Sequence, residues 1–151
     1  MHDNPPNEAL SGAFLRLVRG LRLLERSAKC CEGVTLAQCT LLETLRAEGS
    51  QRQKALAARL GVRVSTATRL VDTAERQGLV ARLREPDDAR GVRIALTQEG
   101  ERMAEKLSAA GAAFCTLILE ALPKKDRIRT VATVAQLSDV IESLPVAACC
   151  G

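Results

Sequence analysis

KALAARLGVRVSTATRLVDTAERQGLVARLREPDDARGVRIALTQEG (residues 54–100) decides how this chain folds. Leu56, Ala57 and Leu60 recur at helical spacing and stop at Gly61, a residue type suited to the left-handed position just past a helix end. VSTATRLVDTAERQ (64–77) has helical spacing again and stops at Gly78. Beyond Gly78 the period drops to two: LVARLR (79–84) and GVRIAL (91–96) alternate apolar and basic residues. The stretch between them, EPDDAR (85–90), is charged and turn-forming. Two short helices joined by a tight turn, then a basic β-hairpin, make a winged helix-turn-helix.

Around this centre the chain is helical. EALSGAFLRLVRGLRLLERSAK (8–29) places Leu10, Phe14, Leu17, Leu21 and Leu24 on one face, and Cys30, Cys31 and Gly33 close it. TLAQCTLLETLRAE (35–48) starts with Thr35 and Gln38 spaced as a capping box and ends at Gly49. Ser50 and Gln53 have the same spacing and predict a second box at the head of the next helix. Thr97 is the expected N-cap of a long helix running to Pro123, and residues 124–144 form a last helix ended by Pro145. The expected organisation is 1–33, a first helix; 34–97, the winged domain; 98–144, two long helices; and 145–151, a tail with Cys149 and Cys150. The fold class is mainly α with a small β-hairpin wing.

At 46% hydrophobic and 26% charged residues the composition is that of an ordinary globular protein, and 151 residues suffice for one domain with a real core. No apolar run approaches the ~20 residues that span a bilayer. The opening MHDNPPNEAL lacks the basic and apolar blocks of a secretory signal. A cytoplasmic protein without a membrane partner is expected. The net charge of +4 is unevenly spread: residues 46–93 hold eleven Lys/Arg against six Asp/Glu, and the rest is slightly acidic. An anionic partner at the middle of the chain follows, with a merely solvated basic face as the alternative.

Double-stranded DNA is the partner that the layout suggests. With Ala67, Leu70, Val71 and Ala74 turned to the core, the opposite face of helix 64–77 presents Ser65, Thr66, Thr68, Arg69, Thr73 and Arg76. Small hydroxyls near the helix start permit close approach to phosphates, and Arg69 has the reach for a guanine edge. Arg82, Arg84, Arg90 and Arg93 are expected around the wing tip, suited to the negative potential of a minor groove. Asp88, two residues before Arg90, is expected to hold its guanidinium as wing support. Glu85 reads as loop solubility.

These residues resemble the core of the MarR family of bacterial regulators. The likeness rests on LAxxLG at Leu56–Gly61, GLV after the second short helix, DxR at Asp88 and Arg90, and LTxxG at Leu96–Gly100. It extends over roughly residues 10–144. The resemblance implies a homodimer in which 1–33 and 98–144 form the dimerisation region and two winged domains bind a pseudo-palindromic operator, most simply as a repressor. Arg63 departs from the family's frequent Ser or Thr cap; it has no oxygen to cap with and is a phosphate ligand candidate instead.

The cysteines set this chain apart. It has six cysteines, one His, two Phe, no Tyr and no Trp. Relatives that bind aromatic acids line the pocket with aromatic and apolar side chains, and this chain offers only Phe14 and Phe114; peroxide-sensing relatives use tyrosines, absent here, and zinc sensors histidines, of which His2 alone is present. Thiolates select soft species: Cu(I), Cd, Hg, or trivalent arsenic and antimony, As(III) being the first choice. Cys30, Cys31, Cys149 and Cys150 are the candidate ligands, with Cys115 as a further sulfur or a core residue, and Cys39 as core packing. A thiol redox switch and a small organic inducer are the alternatives. No obligatory cofactor is expected. No His–Cys or Ser–His constellation, phosphate loop or CxxC is present, so an enzyme is not expected.

Overall fold

The computed structural model describes residues 6–26, 33–85 and 88–144. In chain order these form α1 (Pro6–Arg26), α2 (Leu36–Glu48), β1 (Gln51–Arg52), α3 (Gln53–Arg59), α4 (Val64–Arg76), β2 (Val80–Glu85), β3 (Asp88–Leu96), α5 (Gln98–Ala121) and α6 (Lys124–Ser143). The chain divides into two compact units, residues 1–110 and 111–151.

In the first unit, α2 starts on a complete capping box. Thr35 Oγ1 accepts from the Gln38 backbone N–H at 3.3 Å, and Gln38 Oε1 accepts from the Thr35 N–H at 2.9 Å. The helix sends Leu41, Leu42 and Leu45 into the core. There they meet Leu56 of α3, Val71 and Ala74 of α4, Leu79, Val80 of β2, Ile94 of β3, and Ala104 and Leu107 of α5. Cys39 and Leu70 are half-buried against this cluster. Gly61, with φ of 63°, turns the chain from α3 into α4.

The sheet has three strands in the order β1-β3-β2, all antiparallel. Val80 pairs with Leu96 and Arg82 with Ile94, and a register shift falls between Arg84 and Glu85. The sequence predicts only the hairpin. The added strand β1 pairs Gln51 with Ile94 and Arg52 with Arg93. It also overturns the expected Ser50–Gln53 capping box. The residue before α3 is Arg52, with no side-chain cap, and Ser50 Oγ accepts instead from Arg93 Nε at 2.9 Å. Strand pairing and an arginine from β3 claim the groups that a local cap would have used.

Helix α5 begins on Thr97. Its hydroxyl accepts from the Gly100 N–H at 3.0 Å and donates to the Gly78 carbonyl at 2.5 Å, while the Thr97 N–H donates to the Leu79 carbonyl at 3.1 Å. The start of α5 is thereby fastened to the end of α4. Gly100 makes this possible, because a Cβ there would run into the Leu79 carbonyl.

In the second unit, α5 turns into α6 at Pro123, and Arg127 caps the outgoing helix by donating to the Glu120 and Leu122 carbonyls at 3.2 and 3.3 Å. Of the twenty residues of α6 none is buried. Ile128, Val131, Val134, Val140 and Ile141 are exposed apolar residues along it. The expectation that Cys115 packs in a core is corrected: it is exposed, because α5 buries nothing beyond Leu107.

Candidate nucleic-acid interface

Helix α4 is strongly two-faced. Ala67, Val71 and Ala74 are fully buried, and their small side chains let α4 lie close against the core. Arg63, Ser65, Thr66, Arg69 and Arg76 are exposed. Arg63 stands in extended conformation just before α4 with no side-chain cap bond. The helix thus starts without a side-chain cap, next to a guanidinium that has no ion pair among the described residues, an arrangement suited to a phosphate. Thr68 and Thr73 turn their hydroxyl hydrogens onto their own helix, donating to the Val64 and Arg69 carbonyls at 2.8 and 2.9 Å. Each keeps only acceptor capacity for a partner. Arg76 lies back along α4, donating to the Asp72 carbonyl at 3.3 Å and Thr73 Oγ1 at 3.2 Å.

The wing sorts its charges by face. Period two puts Val80, Arg82 and Arg84 on one face of β2. Val80 packs in the core, Arg82 reaches α4, and Arg84 is exposed farther out. Arg82 Nη2 donates to Asp72 Oδ1 at 2.5 Å and Arg82 Nη1 to Glu75 Oε2, so one guanidinium holds two carboxylates of α4. Its pKa is raised, first by the hydrogen bond to Asp72.

Glu85 and Arg93 belong to the other face, where Arg93 pairs with Leu83 and Arg52. Glu85 accepts from Arg52 and, at 3.1 Å, from Arg93 Nη1; Arg93 Nη2 also donates to the Ser50 carbonyl. Arg52 also meets Asp88 at 3.3 Å. The hydrogen bond from Arg52, then that from Arg93, holds the Glu85 carboxyl below the ordinary carboxylate range. Gly91 leaves the room: a Cβ there would come within 2.5 Å of Glu85 Oε2 and 3.1 Å of Asp88 Oδ2.

Two expectations change. Glu85 is the centre of an ion network that ties the wing to β1, not a solubilising loop residue. Arg82 does not join the tip, since its carboxylate partners lie on α4, whereas Arg93 reaches Glu85, the last residue of β2 before the turn. Arg84 is left exposed, and among the described residues Arg63, Arg69 and Arg84 have no ion pair or side-chain hydrogen bond. Arg90 is carried by β3, but its side chain lies outside the described part, and so does the expected Asp88–Arg90 pair. Cys30, Cys31, Cys149 and Cys150 lie outside the described residues. Among the described residues no three His, Cys, Asp or Glu side chains come together as a metal site.

Sequence reasoning missed Arg52, Ser50 and the Arg82 clamp. The alternation of β2 was the available signal for Arg82, since it shares a face with Val80. Nothing local marks Arg52, which meets its partner thirty-three positions away. A second long-range tie was equally silent: Gln38 Nε2 donates to Gln77 Oε1 at 2.5 Å, joining the start of α2 to the end of α4.

Comparison with known proteins agrees with this geometry. A family model described as MarR family matches residues 34–92. The HTH-type transcriptional repressor MdtR of Bacillus subtilis is 30% identical over 112 residues, 74% of this chain and 72% of that protein. An uncharacterised HTH-type transcriptional regulator of Mycobacterium leprae is 33% identical over 90% of this chain and 92% of its own length. The solved structure of a MarR family protein from Bacillus stearothermophilus superposes with a TM-score of 0.75 at 27% identity, covering 93% of this chain and 99% of that one.

Proposed function

The chain belongs to the MarR family of transcriptional regulators, and from that premise we propose that it is a dimeric repressor released from DNA by a soft metal or metalloid ion held on cysteine thiolates. One observation carries the DNA-binding part. Around α4 and the wing, Asp72, Glu75, Glu85 and Asp88 are each met by an arginine, while among the described residues Arg63, Arg69 and Arg84 have no ion pair and are exposed, as are Ser65 and Thr66. Acidic groups that would repel phosphates are neutralised and the unpaired cations face outward. Helix α4 then lies in a major groove, with Arg63 and the first N–H groups on a phosphate and Arg69 at a base edge. Arg84, and Arg90 beyond it, serve the adjacent minor groove.

Two copies are supported by the apolar residues left exposed on α1 and α6, among them Leu10, Leu17, Leu21, Val131, Val134 and Ile141. A two-fold pair places two recognition helices about 34 Å apart, one helical turn of the duplex, and reads a pseudo-palindrome. Repression is supported by the name of the Bacillus subtilis relative. The inducer reading rests on composition: six cysteines, four of them in two adjacent pairs, beside one His and no Tyr. Thiolates at Cys30, Cys31, Cys149 and Cys150, with the exposed Cys115 as a further sulfur, suit trivalent arsenic first and antimony, Hg, Cd or Cu(I) next. Such an ion induces only if it prefers the conformation that does not fit DNA. The compartment proposed is the reducing cytoplasm, where these thiols remain available.

The test is release of a duplex selected from a random pool, in degassed reducing buffer, on titration with arsenite, antimonite, Cd, Hg and Cu(I). Release by one of these ions, lost in Cys30→Ser/Cys31→Ser, is the expected result. Release by peroxide alone, reversed by a dithiol, would replace ion binding with a redox switch. Release of an all-Cys-to-Ser variant by a hydrophobic acid would replace it with an organic inducer.

A further inference from the structure

Helix α4 carries its DNA-facing arginines next to its own acids. Asp72 follows Arg69 by three residues and precedes Arg76 by four, and both spacings bring oppositely charged side chains of a helix into contact. An isolated helix of this sequence would pair Asp72 with Arg69 or Arg76 and withdraw a cation from its exposed face. Neither ion pair forms in the structure. Arg76 donates to the backbone carbonyl of Asp72, not to its carboxylate, and Arg69 has no ion pair among the described residues. The Asp72 carboxylate is already held by Arg82 of β2, which takes Glu75 with its other nitrogen.

A fork is needed for that double grip, since a lysine presents one point charge where Arg82 presents two directed donors. Arg82 is two-thirds covered, and both carboxylates are only partly exposed, so water screens this contact less than it would an open surface pair. Two residues farther along the same face of the strand, Arg84 is exposed and has no ion pair among the described residues.

We propose that Arg82 is a positioning residue that sets DNA affinity without touching DNA: by holding Asp72 and Glu75 on the wing side of α4, it keeps Arg69 available to the duplex. Its loss lets Asp72 capture Arg69. The inference rests on α4 being the groove-facing helix, so its test must separate the two.

The experiment measures Kd against salt on a selected duplex for the parent and for Arg82→Gln, Arg82→Gln/Asp72→Asn, Arg69→Ala and Arg69→Ala/Arg82→Gln. Arg82→Gln is expected to bind about tenfold more weakly at every salt concentration, as for loss of one base contact. Adding Asp72→Asn should restore binding to within about twofold of the parent, because no carboxylate remains to take Arg69. Arg69→Ala/Arg82→Gln should bind no more weakly than Arg69→Ala. Failure of Asp72→Asn to rescue would overturn the proposal, leaving Arg82 as a plain tie between wing and helix. Parent-like binding by Arg82→Gln would overturn it too. Parent-like binding by Arg69→Ala would overturn the groove-facing reading of α4, and the proposal with it. Should Arg82→Gln unfold at the assay temperature, Arg82→Lys gives the same test with a smaller drop and the same rescue by Asp72→Asn.

Discussion

Helices α4 and α6 differ most in what covers their apolar residues. Helix α4 seats Ala67, Val71 and Ala74 fully against α2, α3 and the strands, leaving a polar outer face. Helix α6 is longer, carries larger apolar side chains and buries none of them. The winged part of the chain closes its core by itself. The α6 face has the composition of a core half, which a second copy of the chain would cover in the proposed dimer. In the proposed reading recognition and assembly thus sit on elements stabilised in different ways, and a substitution should reveal which kind it has struck.

Three variants sharpen or break that contrast. The largest effect is expected in the winged core: Leu41→Ala, at a fully buried position, should cost about 3 kcal/mol by urea unfolding. A loss under 1 kcal/mol would mean that this core is not self-sufficient. Next comes α6, where Val134→Asp/Ile141→Asp should leave the winged part folded, yield a monomer in sedimentation, and weaken operator binding about 100-fold through loss of the second half-site. An unchanged dimer would place the self-association surface off α6.

The smallest effect belongs to the Glu85 network. The Glu85 carboxyl is depressed below its ordinary value of 4.5 by Arg52 and Arg93. A group depressed on folding stabilises the fold fully above its unfolded value and loses that contribution as pH falls through the lower folded one. The melting temperature of Glu85→Gln should therefore lie slightly below the parent's at pH 6, and the gap should close below about pH 4. A gap independent of pH would show that the network acts through packing rather than charge.

Much of this was legible in the sequence because it is local. Thr35 with Gln38, Thr97, and the stops at Gly61 and Gly78 mark helix ends with residues only a few positions apart, and the helix and strand periods mark the rest. The misses are all non-local. Strand β1 has two residues, too few for any period, and exists only because β3 pairs with it. Ser50 and Gln53 have the spacing of a cap, but Arg93, forty-three residues on, takes the serine oxygen. Glu85 looks like loop solubility until Arg52 and Arg93 arrive beside it. Arg82 and Arg84 are indistinguishable in LVARLR; what separates them is that Asp72 and Glu75 lie within reach of one and not of the other. Cys115 read as core or ligand because it follows Phe114 in an apolar helix, yet it is exposed.

Hydroxyl-radical footprinting on a duplex selected from a random pool tests the central claim, that two winged domains of one dimer read DNA through α4. The account predicts two symmetry-related protected stretches centred about 10 base pairs apart, both lost with Arg69→Ala. A single one-sided protection at saturating protein, or protection unaltered by Arg69→Ala, would contradict it.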